Sequence, residues 1–328
     1  MPHSLERVMI PRRSCVLRPP GAPTSRRQFL ALGGAVIGGG VLLAACGGSD
    51  DTAGGDTAGG DTGGDDTGGD ATSATATTDG FVLVQRYPNS MAITPGDVRL
   101  AISLADTNAS LLTTGPTTLT GIIRNEQGDT IAEFDTPRRG DAMGVPYWSI
   151  TASIPSRGLY ELVVDGAIGD ATPFLLFDSS EIAIPTVGTP LPGFDTPTTG
   201  DARGVDPVCT RLDGACPFHD VTLTEALALG KPVVYLVGTP AHCQTATCGP
   251  GLDYLIDASK QYASVATFVH AEVFADQAGT EVAPAVTALS LDYEPVIWIT
   301  DADGTVARRV DIVWDSDEIS AILAEVLA

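Results

Sequence analysis

The sequence predicts a multidomain protein: an all-β sandwich followed by a C-terminal α/β domain, carried behind an export signal and a flexible tether. Three observations predict it. Apolar residues alternate with period two through 81–178, with turn residues between the runs. Over 208–328, apolar runs of strand length alternate with segments at helical spacing. Ahead of both, a basic stretch and a short apolar run end at Cys46 and are followed by Asp-Thr-Gly-Gly repeats.

Residues 1–46 hold six arginines against one acid, Glu6, and then an uncharged run from Phe29 to Ala45 built from Leu, Ala, Val, Ile and Gly. A basic region followed by a short apolar one reads as a signal peptide, and a Gly-rich stretch of this length is a poor spanning helix. Ser25-Arg26-Arg27-Gln28-Phe29-Leu30 resembles the twin-arginine signal, which exports folded proteins. Leu43-Ala44-Ala45-Cys46 resembles the lipobox, which implies cleavage before Cys46 and lipidation on it. The expected location is therefore the extracytoplasmic face of a cell membrane, held by acylated Cys46. Residues 47–80 have almost no apolar side chain to bury and read as a disordered tether.

The net charge of the whole chain is −23. The first 45 residues hold six of its 18 bases and one of its 41 acids, so cleavage leaves 12 bases against 40 acids. Such a balance excludes nucleic acid and anionic lipid surfaces as charge partners.

In the first body, Val98, Leu100, Ile102 and Leu104 alternate with smaller or polar residues, as do Trp148, Ile150, Ala152 and Ile154, and Tyr160, Leu162 and Val164. Turns fall at Pro95-Gly96, 127–129 and 156–158. About seven short strands in under 100 residues fit a sandwich of immunoglobulin type. Gly158-Leu159-Tyr160 resembles the Gly-x-Tyr that opens a late strand in such domains. Residues 81–178 contain no Cys or His, so a spacer or binding role is expected. Residues 179–207, rich in Pro, Thr, Gly and Asp, read as a linker.

In the second body, Thr222-Leu223-Thr224-Glu225 is a capping box opening a short helix. Residues 232–237 form a fully apolar strand. Leu252, Leu255, Ile256 and Tyr262 lie near helical spacing, and 266–274 is a strand. Residues 295–300 form another apolar strand, turned by Asp303-Gly304 into a hairpin with 305–310. Ile319, Ile322, Leu323, Val326 and Leu327 predict a closing amphipathic helix.

Of the six cysteines, Cys15 leaves with the signal and Cys46 is lipidated, which leaves Cys209, Cys216, Cys243 and Cys248. Outside the cell an even cluster points to disulfides, with three connectivities open and the local pairing, 209 with 216 and 243 with 248, the simplest. The order strand, cysteine loop, helix, strand, X-Pro, hairpin, helix resembles the thioredoxin fold over roughly 222–328. That resemblance makes 233–237 the central strand, places Cys243-Gln244-Thr245-Ala246-Thr247-Cys248-Gly249-Pro250 at the entry to the main helix, and makes Pro295 the cis-proline facing the cysteines. It implies thiol–disulfide exchange by Cys243 and Cys248, either being the nucleophile, on exported proteins or with a membrane redox partner, and no cofactor. Three departures stand beside it. Four residues separate the cysteines instead of two, Gly251 occupies the second cysteine position of a Cys-Gly-Pro-Cys reading, and the central strand lacks the family's buried acid.

Other readings of the same residues remain open at this level. The protein is a non-enzymatic surface binding lipoprotein if both disulfides are structural. Thr245-x-x-Cys248 partly resembles the peroxidatic motif of peroxiredoxins. Copper delivery would need a histidine beside the dithiol, with His242 and His219 as candidates, both expected at the surface. Cys209 and Cys216 are expected to form a structural disulfide ahead of the fold.

Overall fold

The computed structural model describes residues 80–88 and 91–328. The signal segment, Cys46 and all but the last residue of the expected tether lie outside the described residues. No helix among the described residues is long and apolar enough to cross a membrane.

Seven antiparallel strands build the first body: β1 (Val82–Gln85), β2 (Gly96–Ala105), β3 (Thr118–Asn125), β4 (Thr130–Arg139), β5 (Tyr147–Ile154), β6 (Gly158–Val164) and β7 (Thr172–Leu176). The hydrogen-bonded order is β1-β2-β5-β4-β3-β6-β7. β4 belongs to both layers. Most of it pairs with β3, while Arg138 and Arg139 at its end pair with Trp148 and Tyr147 of β5. The period-two faces meet in one core that includes Leu100, Ile102, Trp148, Ile150 and Leu162. Tyr160 donates its hydroxyl to the carbonyl of Ser156 at 2.9 Å, which pins the turn into β6 as the tyrosine corner does in immunoglobulin-like sandwiches.

The second body has a four-stranded sheet of β8 (Val233–Val237), β9 (Thr267–Ala271), β10 (Val296–Thr300) and β11 (Val306–Asp311), in the order β11-β10-β8-β9. β8 and β9 are parallel, and the other pairs are antiparallel. Between and around them lie α1 (Leu223–Ala228), α2 (Cys248–Ser259), α3 (Pro284–Ala288) and α4 (Ser316–Leu327). The strand order and directions are thioredoxin-like. β8 and β10 are apolar throughout because both faces are covered. Val233, Tyr235, Val237 and Trp298 pack with residues of α1 and α3 on one face. Val234, Leu236, Ile297 and Ile299 pack with residues of α2 and α4 on the other. The capping box opening α1 is present, with the Thr222 hydroxyl accepting from Glu225 N–H at 3.1 Å.

Residues 179–207 connect the bodies but do not hang free between them. Ile182, Ile184 and Leu191 are buried in the same core as Trp298, whose indole N–H donates to Pro185 O at 3.0 Å. Gly188 and Leu191 donate to the carbonyls of Val306 and Gly304, so this strap covers the edge of β11. The Pro-rich composition marks irregular backbone. The three apolar side chains inside it give the reason that it packs.

The two bodies are joined by a buried ionic network. Arg99 of β2 makes two 2.8 Å bonds to the carboxylate of Glu318 in the first turn of α4. Its guanidinium also donates to the carbonyls of Asp311 (3.2 Å) and Val313 (2.6 Å). Tyr147 and Ser149 of β5 donate to Glu318 as well, at 2.7 and 2.5 Å. Burial would raise the Glu318 carboxyl, but the Arg99 charge and the hydrogen bonds from Arg99, Ser149 and Tyr147 outweigh it and hold the group at about 2.

Removing Arg99 leaves a buried carboxylate without its counter-ion. Arg99→Met is expected to cost about 3–5 kcal/mol in urea unfolding at pH 7, and Arg99→Met with Glu318→Leu to recover most of that loss. Because Glu318 is depressed in the folded state, its contribution is present above its ordinary value of 4.5 and lost as pH falls towards 2. The difference between wild type and Arg99→Met should therefore shrink over that window.

Candidate active site

β8 ends at Val237, and residues 238–247 carry the chain to the N-terminus of α2. Cys243 lies in this loop and is half-buried, and Cys248 is the first residue of the helix and is 2% exposed. Their sulfurs are joined in a disulfide. The N–H of Cys248 points at Cys243 Sγ at 3.2 Å, and the Thr245 hydroxyl lies 3.4 Å from it. A free N–H of a helix's first turn stabilises a thiolate over a thiol, so charge released on Cys243 has a prepared acceptor. The loop is held from below. The Thr247 hydroxyl donates to Ile312 O at 2.8 Å, and the Trp314 indole N–H donates to Gly251 O at 3.0 Å. A Cβ on Gly251 would come within 2.9 Å of the Trp314 ring. Trp314 thus fills the space where the Cys-Gly-Pro-Cys reading would need a second cysteine.

Pro295 follows a cis peptide bond after Glu294. A Cβ built on Gly238 would lie 3.1 Å from Pro295 Cβ and 3.8 Å from Cys248 Cβ, so these three residues meet in one place. The Glu294 carboxylate accepts from Thr239 N–H at 2.8 Å and stands 3.8 Å from Cys248 Sγ. Burial pushes this carboxyl up to about 8; the Thr239 N–H opposes the rise and the charge of Glu272 adds to it. An acid beside the inner sulfur is therefore present. It comes from the residue before the proline instead of from the central strand, and nothing local in the sequence distinguishes Glu294 from a surface acid.

His242 turns away from the pair. Its Nε2 lies 3.0 Å from Gln277 O, and its ring stands edge-on to Phe274.

The structure departs from expectation at Cys209, Cys216 and His219. The two cysteines are free and buried, where a disulfide was expected. Both sulfurs face Nδ1 of His270, at 3.8 Å from Cys209 and 3.5 Å from Cys216. His219, expected at the surface, is 1% exposed. The segment that carries it lies along the edge of β9, with His270 N–H donating to Phe218 O at 3.1 Å and the Phe218 ring stacked on Phe268. That stacking turns His219 inward, to 3.1 Å from His270 Nδ1. The thiol of Cys209 is lowered by the hydrogen bond from Cys216 and further by those of His219 and His270, while donating that bond raises Cys216. The Cys209, Cys216, His219 and His270 ligand atoms all lie within 4.8 Å of one another. Of the two histidine candidates, His219 lies in a group of side chains that could hold a metal ion, and His242 does not. His270 lies 61 positions from Cys209, so no local spacing brings the two together.

No protein-family model and no curated protein matches the chain. Among solved structures, a thioredoxin-family thiol:disulfide interchange protein from Chlorobium tepidum TLS is similar at 17% identity and a TM-score of 0.31. That match covers 44% of this chain and 99% of that one. The filamin domain of Lin-41 is similar at 18% identity and a TM-score of 0.21, covering 31% of this chain and 95% of that one. The PKD domain of human SorCS2 is similar at 17% identity and a TM-score of 0.17, covering 38% and 96%. At these values the fold is read from the strand order itself.

Glu294 carries a proton in the folded protein over a range where it is ionised in the unfolded chain. Its contribution is full below its ordinary value of 4.5 and is lost as pH rises through about 8. Wild type should lose stability on the order of 5 kcal/mol across that window from this group alone. Glu294→Gln should flatten the loss, measured as urea midpoints between pH 4 and 9 (about the range the two values bracket).

Proposed function

We propose that the protein is a membrane-anchored thiol–disulfide exchange protein acting on exported proteins outside the cytoplasm. The observation that carries the reading is the asymmetry of the disulfide. Cys243 is reachable and sits against a helix N–H, while Cys248 is buried against a carboxyl that burial holds neutral near pH 7. The order of basic segment, apolar run and Cys46 supports the membrane address.

In this reading a substrate thiolate attacks Cys243 Sγ. The Cys243–Cys248 bond breaks, and its electron pair leaves on Cys248, which takes the proton of Glu294. A mixed disulfide now joins Cys243 to the substrate. A second substrate thiolate displaces Cys243, and the products are a substrate disulfide and a reduced pair, with Cys243 as the thiolate that the Cys248 N–H stabilises. Run in reverse, the Cys243 thiolate opens a substrate disulfide, and Glu294 withdraws the Cys248 proton so that Cys248 resolves the mixed species. Pro295, with no N–H of its own, borders the reacting sulfurs. The peroxidatic reading loses its geometry, because the Thr245 hydroxyl faces Cys243 and Cys248 is buried.

Cys248→Ser is expected to accumulate mixed disulfides through Cys243, seen as reductant-sensitive adducts on non-reducing gels, and Cys243→Ser to accumulate far fewer. The pair should also equilibrate with glutathione or a comparable dithiol couple. A potential below about −300 mV, resistant to reduction in the folded protein, contradicts the exchange function and leaves the disulfide structural.

A further inference from the structure

We propose that Cys209, Cys216, His219 and His270 bind one Zn²⁺ in a closed tetrahedral Cys2His2 site that is separate from the redox pair. The tetrahedron follows from bond lengths. Zinc–sulfur bonds of about 2.3 Å and zinc–nitrogen bonds of about 2.0–2.1 Å place sulfur and nitrogen ligands about 3.6 Å apart, and two nitrogens about 3.3 Å apart. The sulfurs of Cys209 and Cys216 lie 3.8 and 3.5 Å from His270 Nδ1, and the two imidazole nitrogens lie 3.1 Å apart. The three edges that meet at His270 Nδ1 thus stand close to those a zinc ion requires, and the remaining ligand pairs all lie within 4.8 Å.

The surrounding groups orient these ligands. His270 donates Nε2–H to Gly238 O at 2.9 Å, which leaves the Nδ1 lone pair facing the sulfurs. The Cys209 loop is held by Glu272, whose Oε1 accepts from Thr210 N–H at 2.6 Å and from the Thr210 hydroxyl at 3.0 Å. Two thiolates neutralise the charge of the ion, which suits a site whose four ligands are all buried. Full burial leaves no open position for substrate or water, so the site is structural. Its place in the fold gives it a task. It ties the segment ahead of α1 to β9, and through Gly238 it stands directly behind Pro295 and Cys248. Soft thiolates with two imidazoles in a tetrahedron select zinc over hard cations.

The test uses the full chain purified in detergent under mild reductant and measures metal by mass spectrometry. One zinc per chain is expected, and replacement by Co²⁺ should give the visible d–d bands of a tetrahedral cobalt thiolate. Cys216→Ser and His270→Gln should each lower zinc affinity by at least about tenfold. Cys243→Ser with Cys248→Ser should retain full zinc, which separates this site from the proposed exchange chemistry. Where a ligand variant does not fold, the cobalt spectrum of the unsubstituted chain decides. A chain that takes up no zinc at equimolar Zn²⁺ overturns the proposal, whether Cys209 and Cys216 are then found as free thiols or joined to each other. Stoichiometric Cu(I) at these ligands in place of zinc also overturns it.

Discussion

The buried pair of Arg99 and Glu318 is the constraint on which the rest of the arrangement depends. Arg99 belongs to the sandwich, yet it holds the carbonyls of Asp311 and Val313, the backbone that leads from β11 into α4. Tyr147 grips the same stretch through Asp315 N–H at 2.8 Å. From the opposite side, Ile312 O receives the Thr247 hydroxyl, and Trp314 reaches Gly251 O. One short segment is therefore clamped by the sandwich and in turn supports the N-terminus of α2. Ionising both partners inside the protein is costly, and the cost is offset because each carboxylate oxygen accepts two hydrogen bonds and every guanidinium nitrogen donates at least one. Through this segment the sandwich braces the loop and helix N-terminus that carry the disulfide.

The site's polar residues are connected in the same economical way. The Thr210 hydroxyl accepts from Ala241 N–H and lies 3.5 Å from the Thr239 hydroxyl. Thr239 N–H serves Glu294, while Thr210 serves Glu272. A chain of short contacts thus runs from the Cys209 loop, past Gly238, to the carboxyl beside Cys248. In a low-dielectric interior such contacts keep charge from being stranded and hold each group in one orientation. A buried histidine–cysteine cluster behind Gly238 and a disulfide in front of it thus place the four cysteines in two different environments.

Much of the fold was legible because it rests on local pattern. Period-two alternation around Leu100 and Trp148 marked strands with one apolar face, although the other face is buried too, with Ala101 and Tyr147 against Val313, and the wholly apolar 233–237 and 296–300 marked strands covered on both faces. Thr222 and Glu225 announced a helix start because that capping uses only neighbours in sequence. The strap at 179–207 reads as a linker from its Pro, Thr, Gly and Asp content, while Ile182, Ile184 and Leu191 decide where it lies. Cys209 and Cys216 were assigned to each other because they are close in sequence. In space both sulfurs also face His270 Nδ1, on a strand beside them.

By itself the sequence determined the order of the two bodies, the placement of Cys243 and Cys248 at the entry to a helix, and Pro295 at the head of β10. The order of the bodies and the strand behind Pro295 follow from periodicity and turn chemistry, which act over a few residues, while the placement of the two cysteines is what the resemblance to the thioredoxin fold implies. Only the tertiary structure decided which sulfur is reachable, that Glu294 supplies the buried acid, and that His219 and His270 turn inward onto two thiols. The inward turn of the two histidines depends on parallel β9 lying against β8 and on the segment at Phe218 running along its edge, and the place of Glu294 on the meeting of Gly238, Pro295 and Cys248. Such approaches join residues tens of positions apart, and no periodicity in the chain records them.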